Sequence, residues 1–296
     1  MNGIRTAAVA GLGLIGGSLA RDLAARGVRV LACDADAGVV DAAVAEGVVS
    51  AALGPGLEGV EEADALVLAI PVRAAPALLK AALPRLRGLR LVTDAGSTKG
   101  CIVEAAQRLG LGATFVGAHP LAGDHRSGWP ASRPGLFADA TVYLTPTAES
   151  SGDAVALARE LWSSVGAVTV EMGADDHDRL LAWTSHLPQV VSSALAAALA
   201  EQGIDRAELG RGGQDVARLA ASSPEVWRDI LAENAAAVSD AIGEMERQLA
   251  AARAAIGSGD AEAIRAWLAE SHRWAAREIL DSCARGVGRG RVGMCD

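Results

Sequence analysis

The sequence predicts an α/β protein, with a parallel-sheet domain over residues 1–172 followed by an all-helical domain over 173–296. Three observations carry that prediction. Apolar runs alternate with helix-forming stretches through roughly the first 170 residues, the pattern of a parallel sheet covered by helices. A glycine-rich turn joins the first apolar run to the first helical stretch. Past Gly173 the strand signal stops, and long Ala- and Leu-rich stretches take over.

The apolar runs fall at 6–10, 28–33, 65–70, 89–93, 115–118 and 141–144, with helical stretches at 18–26, 36–46, 74–83 and 99–109. Between the first run and the first helix lies Gly11-Leu12-Gly13-Leu14-Ile15-Gly16-Gly17-Ser18. In that context a Gly-x-Gly-x-x-Gly turn means a Rossmann-type dinucleotide site. Gly11 permits the tight turn, Gly13 lets backbone approach a pyrophosphate, and Gly16 lets helix and strand pack closely. Asp34, at the end of the second run, is suited to accept hydrogen bonds from ribose hydroxyls and would repel a 2′-phosphate. NAD is therefore expected rather than NADP, held by Gly11, Gly13, Leu14, Ile15, Gly16 and Asp34, with Pro71 and Val72 after the third run.

Hydrophobic residues make up 51% of the chain and aromatics only 3%, so the cores must be built from Ala, Leu and Val. A formal charge of −9 argues against nucleic acid as a partner. Cys33, Cys101, Cys283 and Cys295 are scattered and form no metal-ligand or C-x-x-C spacing, so no metal is expected and the thiols read as reduced in a cytoplasmic protein. The apolar N-terminus reads as the first strand, not a leader. The longest uncharged run, Leu187 to Ala200, is too short to span a membrane.

In an open parallel sheet, ligands sit outside the carboxyl ends of the strands. The residues there include Asp94 to Lys99 and His119 to Gly123, followed by a long polar loop over 123–140. His119, at that rim, can act as a general base near neutral pH. Ser97 is open to several roles: a bond to His119, to a substrate hydroxyl or to the nicotinamide amide, or a helix N-cap. Lys99 is expected to be solvated on a first helical turn, the alternative being attraction of an anionic substrate. After Gly173, the stretch Asp175 to Glu201 reads as one long helix kinked by Pro188. Ser223-Pro224-Glu225 opens another that runs to about Ile256, and Asp260 caps a last one to about Cys283. The apolar surface of these helices suggests a homodimer. His186 and Arg218 lie among them, and spacing alone singles out neither.

Four blocks carry a resemblance across nearly the whole chain. They are Gly11–Ser18; Asp94–Gly100; Gly117-Ala118-His119-Pro120-Leu121-Ala122-Gly123 with Ser127-Gly128; and Ser185-His186-Leu187-Pro188 with Arg218, Ser223-Pro224-Glu225-Val226-Trp227-Arg228-Asp229-Ile230 and Glu233-Asn234. In these the sequence resembles the prephenate/arogenate dehydrogenases of tyrosine biosynthesis. The resemblance implies NAD-dependent oxidative decarboxylation of a cyclohexadienol. It makes His119 the proton acceptor, Ser97 its partner and Arg218 the holder of the side-chain carboxylate. His186 then lines the pocket, and Trp227 borders it from its own or the partner subunit. No chorismate mutase or regulatory domain is expected to flank these blocks. One departure stands out: Asp124-His125 replace the small polar residue and Glu that members often carry. Asp124 would pair with the ammonium of arogenate, giving a lean towards that substrate, unless it caps a turn or pairs with His125 or Arg126. Two rivals are weighed. A 3-hydroxyacid or 6-phosphogluconate type dehydrogenase uses a lysine-centred site, but Lys80 and Lys99 are the only lysines and the helical domain has none. A non-catalytic NAD-sensing dimer is the other.

Overall fold

The computed structural model describes residues 3–123 and 126–286, the last ten of these as backbone only. Eight strands form one sheet: β1 (Thr6–Ala10), β2 (Arg29–Cys33), β3 (Ala51–Ala52), β4 (Ala65–Leu68), β5 (Leu91–Asp94), β6 (Phe115–Pro120), β7 (Thr141–Thr145) and β8 (Val168–Glu171), in spatial order β3-β2-β1-β4-β5-β6-β7-β8. Helices α1 (Leu14–Ala25), α2 (Ala37–Ala45), α3 (Ala75–Leu86), α4 (Gly100–Arg108) and α5 (Gly152–Ser164) cover it. The strands are short and Ala/Val-rich because both faces are buried. Alternate residues of β1 serve opposite cores. Ala7 and Val9 pack with Leu19 and Leu23 of α1 and Leu157 and Leu161 of α5; Ala8 and Ala10 pack with Leu79 of α3 and Ile102 of α4. Strand order reverses at β1, between β2 and β4, and this opens the crevice where such sheets bind ligands.

The sheet is parallel except between β6 and β7, where Pro120 pairs with Val142 in an antiparallel ladder. The sheet is otherwise parallel as expected, and this one antiparallel pairing adds to that expectation. Parallel strands need a crossover, and the described part of 121–140 forms only a single 3₁₀ turn, Trp129–Ala131, so the chain comes back antiparallel. The expected list of elements also lacked β3, β8 and α5. The two-residue β3 is too short for a periodic signal. The signals for α5 were present: Ser151 caps it by accepting from the Ala154 N–H at 3.2 Å, and Leu157, Leu161 and Trp162 form its buried stripe.

After β8 the described residues are helical: α6 (Ala174–Leu181), α7 (Leu187–Glu201), α8 (Arg211–Ala217), α9 (Pro224–Glu233), α10 (Ala235–Gly257) and α11 (Ala261–Gly286). By compactness the chain forms one unit to Val238 and a second from Ser239. In the first, α6 and α7 are the predicted long helix, but its irregularity is a π-helical turn, Ala182–His186, ahead of Pro188. Proline lacks an N–H and its ring crowds the carbonyl one turn back, so the wider turn forms before it. The helix predicted from Pro224 to about Ile256 breaks at Asn234, whose backbone leaves helical geometry and whose side chain turns into the buried site below. In the second unit, Asp260 caps α11 through the Glu262 N–H at 2.9 Å.

Candidate active site

The glycine turn is a backbone surface shaped for an anion. Gly11 has φ +91°, and a Cβ there would lie 2.3 Å from the Ala69 carbonyl oxygen. A Cβ on Gly16 would lie 1.9 Å from the Gly11 carbonyl oxygen. Around Gly13 a Cβ would meet nothing within 4 Å, so this position faces open space. Gly13 is also the N-cap of α1, with no side chain on the cap and no acid in the first turn, which leaves the helix N-terminus free for a phosphate. Asp34 braces this loop: its carboxylate accepts the Leu12 N–H at 2.6 Å and the Asp36 N–H at 3.0 Å. From here a cleft of about 370 Å³ extends past Ile15, Pro71 and Val72 to Ser97, with Val226 and Asp229 of α9 on its far side. Arg73 pairs with Glu233 at 3.0 Å, tying α9 to this wall. The residues present fit a dinucleotide.

Beyond Ser97 lies a buried charged cluster. Lys99 is fully buried, correcting its expected solvated place. Its ammonium pairs with Asp94 and donates to the Ala118 carbonyl at 2.7 Å, while the Ala118 N–H donates to Asp94 at 3.1 Å. The ladder between β5 and β6 ends at Thr93 and Val116, so this ion pair takes over from it and holds β6 just before His119. Burial lowers the Lys99 pKa, and Asp94 opposes that shift.

His119 is buried at the end of β6, its Nδ1 at 2.9 Å from His177 Nε2. His177 Nδ1 lies 2.8 Å from the Asp178 carboxylate, which also accepts the N–H groups of Lys99 and Gly100, each at 2.8 Å. Burial raises the Asp178 pKa, but the hydrogen bonds from His177, Gly100 and Lys99 outweigh it and leave the group below the ordinary carboxylate value. The His119 pKa is pushed well below 6.5, first by burial and then by Lys99, His177 and His186. His186, at the end of the π turn, is buried against Asn234, whose Nδ2 lies 3.1 Å from His186 Nδ1. Its pKa falls to about 4, chiefly through burial. The Trp227 ring meets it edge-on at 6.0 Å between centroids, within one chain.

The structure thus gathers His119 and His186 and sets Ser97 in the cofactor cleft. Ser97 makes no hydrogen bond to His119, and it is not the N-cap of α4, a position held by Lys99. Arg218 stands exposed with no ion-pair partner among the described residues, in a second cleft with Arg126, Ser127, Trp227 and Gly123. Asp124 lies outside the described residues. The sequence reading missed His177 and Asp178. A His-Asp pair at the start of a helix after the last strand was their only signal.

The model of the prephenate dehydrogenase nucleotide-binding domain matches residues 19–171, and that of the dimerization domain matches 173–270. The chain belongs to the prephenate dehydrogenase family. It is 34% identical over 266 residues to a prephenate dehydrogenase of Bacillus subtilis, covering 87% of this chain and 71% of that one. It is also 34% identical over 274 residues to a cyclohexadienyl dehydrogenase of Zymomonas mobilis, covering 90% and 93%. A solved prephenate dehydrogenase from Aquifex aeolicus, in complex with hydroxyphenyl propionate and NAD⁺, superposes with a TM-score of 0.85 at 31% identity, over 93% of this chain and 98% of that one. Synechocystis arogenate dehydrogenase does so with a TM-score of 0.80 at 28% identity, over 92% and 99%. A 3-hydroxyisobutyrate dehydrogenase of Mycobacterium tuberculosis, at 17% identity and a TM-score of 0.52, shares the fold alone. This chain is accordingly an NAD-dependent oxidoreductase of the first family.

Proposed function

We propose that the protein catalyses oxidative decarboxylation of a cyclohexadienol, either prephenate to 4-hydroxyphenylpyruvate or arogenate to tyrosine, as a homodimer in the cytoplasm. The observation that carries this reading is His119: a buried imidazole, neutral at physiological pH, at the strand-end rim beside the cofactor cleft. NAD⁺, when bound, accepts the hydride. His119 takes the proton of the ring hydroxyl as that carbon becomes sp². The ring carboxylate leaves as CO₂, and the electron pair of its bond to the ring completes the aromatic system as the ring oxygen becomes a phenolate, which takes its proton back from His119. Aromatisation supplies the driving force, so the protein's task is mainly orientation and a base.

The other roles follow from position. Gly11, Gly13, Leu14, Ile15 and Gly16 take the pyrophosphate, and Asp34 the ribose. Pro71 and Val72 wall the cleft, and Ser97 lines its other end. Arg218, exposed and planar, suits a bidentate hold on the side-chain carboxylate. His186 and Trp227 line the pocket. Residues 1–172 serve as the nucleotide-binding domain and 173–296 as the substrate-binding and dimerisation domain. Cys33 and Cys101 are free thiols, which suits a reducing compartment.

The lean towards arogenate rests on Asp124 as a partner for its ammonium. Initial rates of NADH formation with prephenate and arogenate, each with NAD⁺ and with NADP⁺, test the whole reading. Turnover of at least one substrate with NAD⁺ is expected, with NADP⁺ used poorly. No turnover of either would reject the function. Asp124→Asn should lower kcat/KM for arogenate only; an equal change for both substrates would remove the basis of the lean.

A further inference from the structure

Asp178 reaches both site histidines through one intermediary each: its side chain meets His177, which meets His119, and its main-chain oxygen meets Asn234, which meets His186. Its carboxylate accepts two main-chain N–H groups, from Lys99 and Gly100, which can only donate. His177 Nδ1 meets the same carboxylate at 2.8 Å and must therefore carry a hydrogen. In a neutral His177 the lone pair then lies on Nε2. That nitrogen faces His119 Nδ1 at 2.9 Å, so His119 must donate from Nδ1, and its Nε2 is left bare.

The second histidine is set the opposite way. The Asp178 main-chain oxygen, an acceptor only, takes Asn234 Nδ2 at 2.7 Å, which fixes that atom as the amide nitrogen. The same NH₂ group lies 3.1 Å from His186 Nδ1, so His186 accepts there. A neutral His186 then carries its hydrogen on Nε2.

We infer that Asp178 assigns the two histidines opposite tautomers: through His177 it leaves His119 with a bare Nε2, and through Asn234 it leaves His186 with an Nε2–H. The inference rests on His119 being the base and deepens that reading. His177, Asp178 and Asn234 are positioning residues and do not touch the substrate. They supply one acceptor for the hydroxyl proton and one donor for a substrate oxygen. After the proton reaches His119 Nε2, the imidazolium still donates from Nδ1 to His177, with the Asp178 carboxylate behind it. A base presented in the wrong tautomer loses most of its activity even where its position is unchanged.

The test is long-range ¹H–¹⁵N NMR of the histidine side chains in the intact protein, without and with NAD⁺, near pH 7.5, with assignments from single His variants. The expected spectrum shows His119 protonated on Nδ1 and bare on Nε2, and His186 the reverse. His119 protonated on Nε2, a doubly protonated His177, or His186 protonated on Nδ1 would each overturn the assignment. His177→Gln offers an oxygen to His119 and an NH₂ to Asp178, so it should keep the His119 tautomer and most of kcat. His177→Leu offers neither, and kcat should fall by on the order of 10²-fold or more with KM for NAD⁺ unchanged. Equal kcat in the two variants would contradict the inference, and if His177→Leu fails to fold, the Gln variant and the spectra still decide. His119→Asn separates the two levels. Near-normal turnover there would reject His119 as the base, whereas lost turnover with the wrong tautomer in the wild type rejects only the assignment by Asp178.

Discussion

The cofactor cleft and the histidine cluster lie a few residues apart at the strand ends, but they are built from different materials. Main chain makes the cleft: the turn through Gly11, Gly13 and Gly16, the N-terminus of α1, and the brace from Asp34 to Leu12. The cluster is made of buried side chains from β5, β6, the segment into α4, the start of α6, the π turn and the end of α9. The first needs space and unpaired N–H groups. The second needs its buried charges matched, because an unpaired polar group in a dry interior costs roughly 1–3 kcal/mol and more if charged. Damage to the cleft should therefore depend on steric detail, and damage to the cluster on charge and proton placement.

The largest effect sharpens the contrast. His119→Asn is expected to lower kcat by about 10²–10⁴ while leaving NAD⁺ affinity and the melting temperature near those of the wild type. Steady-state rates and a cofactor titration check it. Loss of NAD⁺ binding in this variant would mean that the two regions are not separable.

Next is Lys99→Met, which leaves Asp94 buried without its counter-ion. Breaking one side of a buried pair costs about 3–5 kcal/mol, read from the denaturant midpoint. The double change Lys99→Met with Asp94→Leu should recover part of that stability though not activity, since β6 loses its anchor at Ala118. A single variant as stable as the wild type would show that the pair holds nothing in place.

The cleft is tested by contrast between two glycines. Gly16→Ala puts a methyl 1.9 Å from a carbonyl oxygen, so the loop must shift, and both stability and NAD⁺ binding should suffer. Gly13→Ala meets open space, so the fold should survive with only NAD⁺ affinity reduced. Equal destabilisation by the two would contradict the backbone reading of the cleft.

The smallest effect is one of pH. His119 and His186 have folded-state pKa values below the unperturbed value of about 6.5, His186 at about 4. Below pH 6.5 the unfolded chain takes up protons that the folded chain refuses. Stability should thus be complete above that pH and fall as pH drops towards 4, by up to about 1.4 kcal/mol per unit for each histidine. His186→Phe should flatten the slope in urea unfolding measured across that range. The acid limb of kcat should likewise lie below pH 6.5, because burial, reinforced by Lys99, His177 and His186 around it, keeps His119 deprotonated there.

The cleft was readable because its parts are local. A turn that needs positive φ at Gly11 and close approach at Gly16 can use only glycine, and Asp34 follows on the next strand, so motif and spacing appear in one short stretch. His119 was readable by its place at a strand end. Lys99 was misread because a lysine on a first helical turn is usually solvated; only the ladder's end at Thr93 and Val116 makes room for it inside. His177 and Asp178 gave one weak signal, an adjacent pair whose partners lie on β6 and α4.

The amino-acid order by itself therefore determined the alternation that makes the sheet, the glycine turn and its acid, the helical second half, and the blocks that carry the family resemblance. Each follows from local sterics or from a hydrophobic period within a few turns of chain. Tertiary structure alone decided that β7 runs antiparallel, that the irregular turn ends at His186, that Asn234 breaks the helix to reach it, and that Lys99 lies beneath His119. These depend on which polar groups distant in the chain must find partners once water is excluded, and no local pattern records that requirement.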